Sequence, residues 1–367
     1  MPVQTRSERF ASPIHSEHPE VTGREAVWKF SPVDRLRELI DGPLDGSPYP
    51  IESNDATGTT VEWISRDHEI LGGAGTPEER ASANAWTNVE QALHIHVEGE
   101  FSPLTVRRDG LGSTPRAGHV VVTAGRGATG LIVLDSRGDA KLSENIEIVL
   151  EPDADVKVIT VHEWNDTALH LASLFARIGH GANLTHVLVS LGGGVVRVNP
   201  SVHLAEEGAG TELYGVYFAD AGQHLEHQVY VNHDAPHTRS RVTYKGALNG
   251  EGARTVWIGD VLISRTASAA DTYEENRNLV LSDGTRADSI PNLEIETGDI
   301  AGAGHASATG RFDDEQLFYL EARGIPEDEA RRLVVLGFLA EVVQKIGEPT
   351  LEAHLMEALE AELEKAR

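Results

Sequence analysis

From Leu93 onward the apolar residues recur in short β-branched runs: HVVVTA, GLIVLD, NIEIVL, VKVITV, THVLVS, VVRVNP, HQVYV and RTVWIGDVLIS. Runs of this kind, bounded by Gly or Asp, predict strands of about five residues separated by turns. A repeat passes through them. Gly or Asp followed by Ala begins at Gly127, Asp153, Gly181, Gly208 and Asp234, in steps of 26, 28, 27 and 26 residues. Gly252-Ala253, 18 residues further on, breaks the register. A period of this size with strands between the turns points to a solenoid, because a single coil cannot bury its own apolar face and stacking supplies both core and ladder hydrogen bonds.

The flanks read differently. Met1 to about Gly23 is polar and aperiodic and is expected to be a disordered tail. Ser31 and Pro32 open a short helix through Ile40 with Leu36, Leu39 and Ile40 as its stripe, and Gly42 to Gly58 is a connector. A further helical piece follows Thr76 and Pro77, where Glu78, Glu79, Arg80 and Ala81 suit a first turn. Beyond a small-residue turn carrying His305, almost every residue favours helix. Asp313 with Gln316 forms a capping-box pattern, Gly324 is a C-terminal stop, and Pro326 opens a second helix with three acidic residues in its first turn. From Leu333 to Ile346 apolar residues surround much of that helix, and a last helix follows Pro349 with Leu351, Leu355, Met356, Leu359 and Leu363. The simplest use of these helices is to cap the open end of the solenoid. The expected division is a tail, short helix and linker over 1–60, a β-helix core over 61–304 and a helical partner-binding region over 305–367.

Composition narrows the function. With 31 basic and 58 acidic residues the formal charge is -27, the wrong sign for nucleic acid and repelled by anionic lipid heads. No apolar stretch is long enough to span a membrane and the N-terminus lacks an apolar signal core, so a cytoplasmic protein without membrane or nucleic-acid partners is expected. There is no cysteine, so any thiolate must come from another chain.

Gly125 to Gly130 matches GxGxxG, but the LIVLD that follows is strand-like, so the helix N-terminus a pyrophosphate needs is missing. No GxxxxGK[ST] is present. His94 and His96 would share one face of a strand, and His224, Glu226 and His227 lie near His233 and His237. Neither group matches a zinc-protease or zinc-finger spacing, and each is more simply a set of turn or edge histidines. His305 stands apart, because Gly302, Ala303, Gly304 and Ala306 let another backbone or a cofactor approach closely.

The stretch Gly302 to Phe338, GAGHASATGRFDDEQLFYLEARGIPEDEARRLVVLGF, resembles the SufB/SufD family of the SUF iron–sulfur cluster assembly machinery, and SufD most. PNLEIETGDI, from Pro291 to Ile300, is similar to the element that family places before its histidine, and ALHIHVEGEFSPLTV looks like it more faintly. The resemblance implies a mainly β fold: a right-handed parallel β-helix core with short N-terminal helices and a C-terminal helical domain. It also implies a non-catalytic scaffold subunit pairing with a SufB-like paralogue and docking a SufC-like ATPase. His305 would then face SufB at the cluster-building interface, as an iron ligand only beside partner thiolates. Phe318, Tyr319, Leu320, Arg323 and Gly324 would lie on the SufC side. No cofactor is implied in the isolated chain, only a transient cluster shared with SufB. Many members carry Cys two residues before this histidine and Gly after it, where this chain has Ala303 and Ala306, which puts cluster binding by this chain alone in doubt. The alternative is a polysaccharide-acting or metal-dependent β-helix enzyme, against which stands an aromatic content of 5%.

Overall fold

A computed structural model describes residues 10–311 and 314–365. In chain order the strands are β1 (Glu52–Ser53), β2 (Thr59–Ser65), β3 (Gln91–Val97), β4 (Leu104–Asp109), β5 (Arg116–Ala124), β6 (Thr129–Gly138), β7 (Lys141–Leu150), β8 (Asp155–Trp164) and β9 (Leu169–Ile178). They continue with β10 (Asn183–Gly192), β11 (Val195–Leu204), β12 (Gly210–Ala219), β13 (His224–His233), β14 (Arg239–Leu248), β15 (Arg254–Ile263), β16 (Ala270–Val280), β17 (Arg286–Ile295) and β18 (Ile300–Arg311). The helices are α1 (Val33–Ile40), α2 (Arg80–Asn88), α3 (Asp314–Glu321), α4 (Glu327–Val343) and α5 (Pro349–Lys365).

The strands form two nine-stranded sheets, ordered β1-β4-β6-β8-β10-β12-β14-β16-β18 and β17-β15-β13-β11-β9-β7-β5-β3-β2. Only β1 and β2 pair antiparallel; all other neighbours are parallel and two strands apart in sequence. Successive strands therefore alternate between the sheets, and the pairs from β3–β4 to β17–β18 make a β-solenoid of about 8 turns.

The repeat marks one corner of this solenoid. Ala128, Ala154, Ala182 and Ala209 are buried immediately before β6, β8, β10 and β12, whose first residues are register partners. The residue before each alanine has positive φ: Gly127, Asp153, Gly181 and Gly208. Its amide donates to a carbonyl of the next coil, as Asp153 does to His180 at 2.9 Å. At the fifth coil this position belongs to His237-Thr238 and not to the expected Asp234-Ala235, and at the sixth to Ala269-Ala270. The corner is set by a backbone conformation that Gly adopts freely and Asp or His tolerates, so composition there drifts while geometry does not. Gly252-Ala253 sits at a corner of the other sheet, with Gly222 and Gly284.

The strands are mostly ten residues long, twice the expected length. Both sheet faces are covered, so apolar residues occupy both phases, and polar side chains turned into the lumen interrupt the runs. The whole of β9, LHLASLFARI, was invisible for this reason.

Two packing layers clothe the solenoid. Outside the β5–β11 sheet, Val21, Trp28, Leu36, Leu39, Ile40, Ala81 and Ala85 join Ala117, Leu169, Leu171 and Val195. The disordered-tail expectation therefore fails from residue 10 onward: Ser12 N–H donates to Pro77 O at 2.9 Å, and His18 is buried against Ser12 O at 2.8 Å. Residues 1–9 of that tail lie outside the described residues. Glu79 caps α2 by accepting from the Ala81 and Ser82 amides. On the other sheet, α4 and α5 bury Val335, Leu336, Leu339, Val342, Val343, Leu355 and Leu359 against Val133, Ile159, Val161, Val187, Val189 and Val216. These helices cover a flat sheet face and do not cap the open end. The capping pair expected from Asp313 and Gln316 lies outside the described residues and side chains. Gly324, with φ +86, ends α3 in a Schellman motif in which Ile325 N–H reaches Leu320 O and Gly324 N–H reaches Glu321 O.

Inside, two rings use glycine as a socket. A Cβ on Gly246 would lie 1.8 Å from the Tyr217 ring, and one on Gly215 would lie 2.1 Å from that of Tyr244. Both rings are fully buried. Gly246→Ala is expected to cost about 3 kcal/mol or more, because neither ring can retreat. Urea unfolding would read this as a lower midpoint at unchanged slope; an unchanged midpoint would show that the lumen can yield.

Candidate functional site

One register row down the lumen is polar at every coil but that of Gly246. Arg108, Ser136, His162, Ser190, Tyr217, Gly246, Asn278 and Thr309 are successive register partners from β4 to β18. At its inner end Arg108 makes a bidentate pair with Glu144 at 2.5 and 2.6 Å, and donates to Ser136 and Tyr49. Trp164 donates to His170 Nδ1 at 3.1 Å, so His170 Nε2 carries the proton it shares with Glu144 at 2.7 Å. Burial alone would raise the Glu144 pKa, but the Arg108 guanidinium and His170 hold the carboxyl far below the carboxylate range.

Burial favours the neutral form of four further lumen histidines. Burial lowers His186 to about 4, and it contacts Thr160 at 3.0 Å. Burial likewise lowers His227 to about 3 and His233 to about 4, and takes His162 well below its ordinary value, with His170 adding to the effect. The group around His224 is split by strand alternation. His224 and Glu226 bond each other at 2.9 Å beneath the N-terminal segment, where Ser31 and Arg197 also reach Glu226, while His227 turns inward to Ser190. His233 is held by Thr238 and Ser240, and His237 forms a corner. His94 and His96 share the Thr123 hydroxyl at 2.8 and 2.9 Å. Among the described residues no group of three or more His, Asp or Glu is arranged to hold a metal. Gly125–Gly130 leads into β6, as its sequence suggested, and no described helix is long and apolar enough to cross a membrane.

The solenoid is open at its last coil. β17 and β18 each end their sheet, and their residues are half-buried or exposed, with Ile295 42% exposed. Unpaired edges of this length are a template for another chain. His305 lies within β18 and not in a turn. Gly and Ala hid the alternation there. The outward Gly304 leaves room for the Tyr273 ring, while Ala303, His305, Ser307 and Thr309 continue the lumen rows of Thr272, Glu274, Asn276 and Asn278. Asn276 and Asn278 bond Tyr217 and Ser289, so a polar patch fills the mouth.

Glu274, the register partner of His305, escaped the sequence reading, because TYEENRNLV is polar in both phases and resembles a loop. It is 1% exposed and neither carboxyl oxygen has a hydrogen bond. Burial, then the charge of Asp260, push its pKa up to about 8.

The other residues singled out in sequence lie on α3 and its cap. Phe318 and Tyr319 are 71% and 55% exposed, and Arg323 stacks over the Tyr319 ring at 4.4 Å. Leu320 is half-buried, and Gly324 sets the turn into α4. Exposed adjacent rings with a stacked guanidinium are the composition of a protein-contact surface.

The family model described as "SUF system FeS cluster assembly, SufBD core domain" matches residues 107–338. The iron–sulfur cluster assembly SufBD family protein Rv1462 of Mycobacterium tuberculosis (strain ATCC 25618 / H37Rv) is 45% identical over 353 residues, covering 93% of this chain and 89% of its own. ML0594 of Mycobacterium leprae (strain TN), of the same family, is 43% identical over 352 residues, covering 93% of this chain and 90% of its own. Another member from M. tuberculosis, Rv1461, is 30% identical over 210 residues, covering 57% of this chain and 25% of its own. A match over more than half the chain, on a β-solenoid whose open last coil carries the motif histidine, leads to one conclusion: the chain belongs to the SufBD family of the SUF iron–sulfur cluster assembly system.

Proposed function

We propose that this chain is a SufD-like, non-catalytic scaffold subunit that pairs through its open β17–β18 edge with a SufB-like paralogue and docks a SufC-like ATPase through the Phe318–Gly324 segment. The observation that carries this reading is an exposed motif histidine at an unpaired sheet edge in a chain with no cysteine. Such a chain has no thiolate to hold a cluster, so its imidazole serves a cluster built on partner thiolates, as an iron ligand or a proton acceptor. The iron–sulfur cluster is cargo of the complex. The polysaccharide-enzyme alternative loses ground, because both outer sheet faces lie under helices and the N-terminal segment.

Two measurements test it. Affinity purification from native lysate is expected to bring down a SufB-like and a SufC-like chain; recovery of the protein alone would overturn the scaffold reading. His305→Ala is expected to leave Tm within about 1 °C, since a surface change of this kind costs under about 0.5 kcal/mol. In a strain lacking the gene it is expected to abolish cluster-dependent growth. Full complementation by His305→Ala would remove the site assignment.

A further inference from the structure

One register row stands out for where its chemistry changes. From β4 to β14 it reads Leu104, Ile132, Val158, His186, Leu213 and Val242, aliphatic in every coil but one. In the last two coils it becomes Glu274 and His305. The row thus exchanges aliphatic side chains for two metal-ligand types just where the lumen meets the open end.

Glu274 is poorly explained as a structural residue. An unpaired buried carboxyl costs several kcal/mol if charged and still forfeits its hydrogen bonds if neutral. A Val at the same place in the preceding coil shows that the position accepts an aliphatic side chain. The fold nonetheless makes room for the carboxyl. Glu274 Oε2 lies 2.4 Å from where a Cβ on Gly259 would sit, so the facing strand keeps a glycine opposite the group. Among the described residues Glu274 is the only carboxylate whose two oxygens are both buried and without a hydrogen bond.

We propose that Glu274 and His305 are two ligands of a divalent-cation site at the mouth of the lumen, with ferrous iron as its cargo. Resting on the scaffold reading, this gives His305 a second ligand of its own chain, Glu274, in the neighbouring coil. One carboxylate oxygen and one imidazole nitrogen form the mixed hard and borderline set that suits Fe²⁺, Mn²⁺ and Co²⁺. Neighbouring strands stand about 4.8 Å apart, so side chains on the same face of register partners reach a common ion. Two ligands leave positions for water and for donors of the partner chain, so the isolated chain binds weakly and the assembled pair more tightly.

Cobalt(II) is the probe. Titration of the purified chain, followed by visible d–d absorption and calorimetry, is expected to give one site, with calorimetry repeated anaerobically using Fe²⁺. Glu274→Gln keeps the size of the side chain and is expected to weaken that site about tenfold or more, as is His305→Ala. Glu275→Gln, one residue along and facing outward, is expected to change nothing. Equal Co²⁺ affinity in wild type and Glu274→Gln, or no site at all, would overturn the proposal. Neither of those results touches the scaffold reading, which stands or falls on co-purification. Loss of co-purification with the Co²⁺ site intact would spare the site and sink the partner assignment.

Discussion

Acidification from pH 6.5 to 4.5 is expected to unfold this protein. His162, His186, His227 and His233 are neutral inside the lumen, with pKa values held down by burial, so the unfolded chain binds protons that the folded chain refuses. For a depressed histidine the sign is definite: stability is present above the unfolded value near 6.5 and is lost as pH falls toward the folded value. His186, His227 and His233 each contribute about 1.4 kcal/mol per pH unit in that window, about 4 together, and His162 acts in the same direction. Glu274 works the other way. Its folded pKa lies above the ordinary carboxylate value of 4.5, so the folded state holds the extra proton and becomes more stable as pH falls from 8 toward 4.5. The net loss is about 3 kcal/mol per unit, or about 6 kcal/mol across two units, comparable with the whole stability of an ordinary domain. Circular dichroism melts at half-unit intervals would show a Tm that collapses in this range. His186→Leu, whose row neighbours are Val158 and Leu213, should shift the acid midpoint downward. A Tm flat to pH 4.5 would mean that the lumen histidines find proton-accepting partners.

The second large effect sits at the other end of the lumen. Arg108→Ala removes the only guanidinium contacting Glu144 among the described residues and leaves a buried carboxylate facing His170 alone. Breaking a buried pair from one side costs about 3–5 kcal/mol. For a chain of this length that is a fall of about 5 °C in Tm. The double substitution Arg108→Met with Glu144→Gln should recover most of the loss, because it leaves no unpaired charge behind. If the single variant melts like the parent, the pair does not support the fold.

Much of this architecture is legible in the sequence. The solenoid followed from Gly127, Asp153, Gly181 and Gly208, because a corner that needs positive φ and a small buried neighbour repeats its demand in every coil. α1 and α2 were readable from a local apolar stripe and an acidic first turn, signals that live within one helix. Gly324 ended α3 as expected, again by a local rule. The family was written in one contiguous stretch, Gly302 to Phe338.

What failed had a common cause. Strand length was halved because lumen residues such as Glu144, His162 and His170 look like turn residues until the coils stack and give them partners. β18 looks like a turn in sequence because Gly302, Ala303, Gly304 and Ala306 carry no apolar alternation, and only pairing with β16 makes the segment a strand. Nothing in α4 or α5 says whether they close an end or cover a face; the apolar outer surface of β8, β10 and β12 decides it. Glu274 and His305 are far apart in sequence and become neighbours only through the register of two parallel strands. The sequence by itself thus determined the coil, its corners and the residue types each helix presents, since those depend on backbone preference and local pattern. Tertiary structure alone decided which polar groups share the lumen and which edge is left open, since both depend on where stacking starts and where it stops.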